Sequence, residues 1–171
     1  ETPPPVFDDL KQTPAVPSSS HPVTITCAAD HPDGIRSMKL YYREGTRQES
    51  SVDMHDDGAH GDGEAGDGIW GGAVPASFGD RDVIGFWIEA ESETGGTGEY
   101  PPGGKSDPPV YQVINGDVDT RLPTYRLILT SADQSELDRR PAMCNSLLPA
   151  SFVFNEKTIY HKVGIRYRGS P

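Results

Sequence analysis

In three runs between Val23 and Glu91 the apolar side chains recur at every second position, a period that suits a strand with one buried face and rules out an amphipathic helix. Val23, Ile25 and Cys27 alternate with Thr24 and Thr26, and Met38, Leu40 and Tyr42 alternate with Lys39, Tyr41 and Arg43. In VIGFWIEAE, residues 83–91, the residues Ile84, Phe86, Ile88 and Ala90 share one face, and Val83, Trp87 and Glu89 share the other. Further strands are expected over Glu49 to Met54, Ile69 to Pro75 and Val110 to Ile114. The turn DHPDG, Asp30 to Gly34, joins the first two runs, with Pro presetting φ and Gly accepting a left-handed position. Short strands at regular spacing, punctuated by Gly, Pro and Asp, predict a mainly β chain built as an antiparallel β-sandwich.

Around that core the texture changes twice. Residues 1–21, rich in Pro and Ser and without strand or helix periodicity, read as an arm or linker, and residues 22–115 as the sandwich. Within the latter, residues 92–109 are Gly-, Pro- and Ser-rich and read as a connection. Residues 116–171 read as an incomplete α+β segment. YRLILT alternates, residues 131–138 form a short helix capped by Ser131 or Asp133, and two strands flank a turn at Asn155-Glu156-Lys157. On the last strand Ile159, His161, Val163, Ile165 and Tyr167 share one face, and Lys162, Arg166 and Arg168 share the other.

Charge follows the same division. Residues 1–115 carry 7 basic and 20 acidic side chains, whereas 116–171 carry 8 and 6, within a chain of net charge −11. So acidic a front half is a poor partner for nucleic acid or anionic membrane, whose phosphates demand Lys and Arg. No apolar run approaches the roughly 18 residues of a membrane span, so no membrane insertion is expected. The chain opens on Glu1 and not Met, which reads as processing or excision, with any secretion signal already removed. The two cysteines, Cys27 and Cys144, make no disulfide framework; Cys27 lies in phase with Val23 and Ile25 and reads as a small buried hydrophobe.

The densest acidic stretch is DDGAHGDGEAGDG, residues 56–68, in which Asp-Gly recurs at Asp57, Asp62 and Asp67. With Asp56 and Glu64 it gathers five carboxylates, and His60 is their one candidate cation. A hard cation would relieve that repulsion, since calcium takes about 6 to 8 oxygens from carboxylates, carbonyls and water. Asp56, Asp57, Asp62 and Asp67 are therefore candidate ligands of a structural calcium ion. The spacing is neither that of an EF-hand nor that of a calcium β-roll. His55 and His60 raise a zinc alternative, which the excess of oxygen donors disfavours. A solvated hairpin tip is the other reading.

Two stretches resemble known families. LPTYRLILTSADQSELD and PASFVFNEKTIYHKVGIRYRGSP look like the opening of a CotH-type (spore coat protein H-like) kinase domain, over roughly the last fifty residues. Residues 22–115 resemble the Ig-like or fibronectin-III-like modules that precede such domains in bacterial surface proteins, through PDGI and the strand after it, the loop from Asp56 to Trp70, and GFWIEAES. The resemblance implies a secreted or cell-surface protein with a downstream kinase domain in the same chain, and a loop suspected of holding calcium. It also makes Arg166 and Arg168 candidate phosphate contacts of the full-length protein, where the residues themselves read more simply as a solvent face. The sequence ends where the family's catalytic core would begin, and no Gly-rich phosphate loop, HRD or DFG is present, so the expectation is a non-catalytic fragment, with part of an active secreted kinase at full length as an alternative.

Other chemistries weigh less. No G-x-S-x-G elbow frames a serine nucleophile, and the acids cluster in one loop where a glycosidase would separate them across a cleft. Carbohydrate binding is the alternative for the sandwich, with Trp70, Trp87, Tyr41 or Tyr100 stacking on sugar rings. The expected function is thus an extracellular β-sandwich module that positions a CotH-like domain, its partner a cell-surface protein or glycan.

Overall fold

A computed structural model describes residues 3–116, 120–141 and 143–168. The strands are β1 (Val6–Thr13), β2 (Val23–Asp30), β3 (Ile35–Glu44), β4 (Ser50–Met54), β5 (Ile69–Val74), β6 (Val83–Ser92), β7 (Thr97–Tyr100) and β8 (Val110–Gln112), all but β1 and β7 where the sequence places strands. One antiparallel sheet has the order β1-β2-β5. The other has the order β4-β3-β6-β7, with β8 pairing along β6 beside β7. The chain is an antiparallel, mainly β protein, as the periodicity requires.

The two sheets close on the side chains whose period defined them. Ile25 and Cys27 of β2 meet Met38 and Leu40 of β3 and Ile84, Phe86 and Ile88 of β6, all essentially inaccessible to solvent. Burying each large apolar side chain contributes about 1.5–3 kcal/mol, which is why the alternation sets the register. At β5 the sheet must pass close beneath the acidic loop. A Cβ on Gly71 would lie 2.4 Å from the His60 carbonyl oxygen, so only glycine fits there.

Trp87 departs from the simple pattern. It lies on the outer face of its sheet, yet is fully buried. Tyr41 stacks on it at 5.4 Å and the Arg43 guanidinium lies 5.5 Å from its ring centre. Arg43 is held by the Lys105 carbonyl at 3.0 Å, and Lys105 in turn by Glu49 at 2.6 Å. The segment 92–109, expected as plain connection, forms β7 and a 3-10 turn at Gly104–Ser106, and the turn brings Lys105 to this cover.

The N-terminal arm also differs from its reading. Residues 6–13 form β1, hydrogen-bonded along β2. A bulge between Asp8 and Lys11, with Asp9 at φ 52°, breaks the alternation, so Phe7 and Leu10 both pack on the core without standing at even spacing. Cys27 sits beneath it as a free thiol whose Sγ lies 3.4 Å from the Asp8 carbonyl, and burial pushes its pKa up to about 12; Cys144 is also free.

The remaining residues form a third sheet, β11-β10-β9, from β9 (Tyr125–Ile128), β10 (Leu148–Phe154) and β11 (Thr158–Ile165), with one helix, α1 (Ser131–Arg139). The helix cap is Thr130, one residue ahead of the expected Ser131, and its hydroxyl accepts the Asp133 N–H at 3.1 Å. The hairpin turns at Asn155 and Glu156, both with positive φ. This sheet lies against the sandwich. Val110, Ile128 and Val153 form a small second core with Val16 and Val83, and Ile159 reaches both cores. No helix among the described residues is long and apolar enough to cross a membrane.

Candidate functional site

The acidic loop joins β4 to β5 and folds on its own carboxylates. Asp62, 1 % exposed, accepts the backbone N–H groups of Asp57 (2.7 Å), Gly58 (2.8 Å) and His60 (2.8 Å). Asp56 accepts those of Gly66 (2.8 Å) and Gly68 (3.0 Å), and Asp67 those of Glu64 (3.1 Å) and Ile69 (2.9 Å). Asp57 accepts the Ala59 N–H and contacts His60 Nδ1, both at 2.9 Å. Each Asp-Gly step therefore closes a small turn around a carboxylate, and the repeat in the sequence is a repeat of turns. For Asp62, burial favours the neutral acid, but the converging N–H groups outweigh it and hold the pKa below the ordinary value.

This geometry bears directly on the calcium expectation. Both oxygens of Asp56, Asp62 and Asp67 already accept N–H bonds, and each carboxylate serves a different turn. Among the described residues no three His, Cys, Asp or Glu side chains converge where a cation could sit. His55 and His60 stack on each other at 4.5 Å and Nδ1 of His60 is engaged by Asp57. The carboxylates present close the loop on its own backbone N–H donors.

The aromatic candidates for sugar stacking are engaged in packing. Trp87 lies under Tyr41, Trp70 packs on the main core, and Tyr100 stacks on Phe7 at 5.3 Å. An open groove of about 600 Å³ does run over the outer sheet face, lined by Lys39, Tyr41, Glu89, Glu91, Thr97 and Glu99. Burial, together with the neighbouring Glu89 carboxylate, raises the pKa of Tyr41 there.

Two Ser–His contacts are formed. Ser18 Oγ lies 2.7 Å from His21 Nδ1 in an exposed turn, and Ser151 Oγ lies 2.9 Å from His161 Nδ1 inside the molecule. Neither imidazole has an acid partner among the described residues, so neither pair has the third group that orients a catalytic base.

The second contact belongs to the junction between the third sheet and the sandwich. His161 packs edge-on against Phe86 at 5.2 Å, and its Nε2 is buried with no hydrogen-bond partner among the described residues. Burial drives its pKa down to about 4, against a weaker opposing pull from the Val110 backbone. Beside it, Lys162 donates to the Asp107 carbonyl at 2.8 Å and to the Asp107 carboxylate. The sequence had placed Lys162 with Arg166 and Arg168 on a basic face. A bulge opposite Ser151, with Lys162 at φ 58°, turns it inward instead. Arg166 and Arg168 are exposed, and Arg166 donates to the Asn145 side chain at 2.6 Å. The position of His161 on an otherwise apolar strand face was the sequence signal for this junction.

Residues 16–80 match the family model of the second Ig-like domain of conditioned medium factor, and this part of the chain is an Ig-like module. No curated protein matches. Among solved structures, the cycloalternan-degrading enzyme from Trueperella pyogenes aligns at 12 % identity and TM-score 0.40, over 84 % of this chain and 16 % of that one. Its complex with a covalent intermediate aligns at 15 % identity and TM-score 0.39, over 84 % and 19 %. The chain thus spans less than a fifth of the length of these structures.

Proposed function

We propose that this Ig-like module is a non-catalytic extracytoplasmic scaffold that fixes the α+β piece after it in one orientation. The observation that carries the reading is the shared packing of the two parts: Ile159 enters the sandwich core, Val153 and Ile128 meet Val110, and Lys162 is tied to Asp107. A contact built from both parts removes the freedom that a linker would leave. In this reading the acidic loop is a structural closure, ordered by carboxylates that accept N–H bonds. The CotH-type identity of residues 116–171, with Arg166 and Arg168 near a phosphate in the full-length protein, rests on the sequence resemblance. Glycan binding is the second reading, and the groove beside Tyr41 is what favours it.

Thermal unfolding in calcium, magnesium and EGTA, followed by Trp fluorescence and by far-ultraviolet circular dichroism, tests the scaffold reading. One coincident transition, unmoved by EGTA, is the expected result. Two separated transitions would overturn the fixed orientation. A calcium-specific rise in midpoint would support Asp56, Asp57, Asp62 and Asp67 as ligands, because a ligand bound only by the folded state raises its stability.

A further inference from the structure

Of the large apolar side chains exposed among the described residues, Val6 alone precedes residue 120. Four of the others form one face. Tyr125 (64 % exposed), Leu127 (56 %), Phe154 (37 %) and Tyr160 (54 %) stand with Phe152 on the side of the third sheet turned away from the sandwich. The register pairs Phe154 with Tyr125, and Phe152 with both Leu127 and Tyr160. Ile128, Val153 and Ile159, on the opposite parity, pack inward. Thr158, paired with Phe154, completes the row, so no charged residue stands within it.

We propose that this face is a self-association surface that takes a second copy of the chain through an isologous two-fold contact. Charge is the first argument. The sandwich portion, residues 1–115, carries a net −13, whereas residues 116–171 carry +2. Two copies brought together at any sandwich face would repel; joined through the third sheet, their acidic portions lie at opposite ends.

Area is the second argument. The four exposures add up to about two whole side chains, or about 400 Å² of apolar surface. In an interface about 60–65 % apolar that corresponds to about 650 Å² per copy and about 1,300 Å² in total, the low end of specific complexes. The expected contact is therefore weak.

Ring geometry is the third. Tyr125 lies near-parallel to Phe152 at 6.0 Å and 24°, and Phe152 to Tyr160 at 6.3 Å and 27°, so the rings form one row across the three strands with gaps between neighbours. A row of rings with gaps between them interdigitates with a second row of the same kind. The inference goes beyond the scaffold reading and does not depend on it.

Sedimentation velocity of the 171-residue chain from about 1 to 300 μM tests it, with half-association expected at tens of micromolar or weaker. Leu127→Lys and Tyr160→Lys should each hold the chain monomeric throughout, whereas Tyr160→Phe should associate like the unaltered chain. Circular dichroism establishes that each variant is folded. Should a lysine variant unfold, amide exchange of β9 and β11 in the unaltered chain, slower at high than at low concentration, provides the same support. A chain monomeric at every concentration would leave the face to a different polypeptide and overturn the proposal. So would a dimer that survives both lysine substitutions, or equal exchange at both concentrations.

Discussion

Acidification from pH 7 to pH 4 should loosen this molecule at His161 before it acts on the carboxylates that cap the acidic loop. The imidazole is buried against Phe86, Nε2 has no partner, and its pKa falls from 6.5 to about 4. Because the folded state holds the neutral form, the unfolded chain binds one more proton between those two values. Stability from this group is complete above about pH 6.5 and is lost as pH falls toward 4. A difference of about 2.5 pH units corresponds to about 3 kcal/mol, a large share of a domain's stability. Urea unfolding at intervals from pH 7 to pH 4, on the unaltered chain and on His161→Gln, isolates the term, since His21, His31, His55 and His60 are common to both. The unaltered chain should lose about 3 kcal/mol more than the variant across that window. Imidazole NMR titration supplies the second readout. Equal pH slopes for the two proteins, or a His161 resonance that titrates near 6.5, would refute the claim that this contact seals the histidine from water.

Two substitutions probe the acidic loop. Asp62→Asn replaces one of two accepting oxygens with a donor that faces backbone N–H groups, and should cost at least about 3 kcal/mol by urea unfolding; a cost below about 1 kcal/mol would show that the loop does not depend on these bonds. Gly71→Ala introduces a methyl group 2.4 Å from the His60 carbonyl, backbone against backbone, and should lower stability by about 1–3 kcal/mol; a neutral result would mean that loop and strand separate freely.

The sandwich strands were legible because their burial is one-sided, and one-sided burial writes itself as alternation. The strand from Val83 to Ser92 is the clearest case, with Ile84, Phe86, Ile88 and Ala90 all in the core. β1 was not legible, because its bulge places Phe7 and Leu10 out of step. Nor was β7, a four-residue strand of alternating half-exposed positions inside a Gly- and Pro-rich segment. In the acidic loop the sequence marked the carboxylates on which the turns are built. Carboxylates spaced by glycine suit a cation, and they suit backbone N–H donors equally well; the pattern does not say which donor arrives.

By itself the sequence determined the chain's periodicities and its punctuation: which runs become strands, where the chain turns, and that the front half is acidic. These are local properties, encoded in neighbours along the chain. Tertiary structure decided what is buried on both sides and what meets across distance. Trp87 is sealed on an outer face because Arg43, Tyr41 and residues near Lys105 converge on it. Lys162 turns inward to Asp107, and His161 is dehydrated against Phe86, because a bulge in β11 and the docking of a third sheet bring them there. Such contacts link residues more than forty positions apart, and their energy depends on desolvation, which no stretch of sequence carries alone.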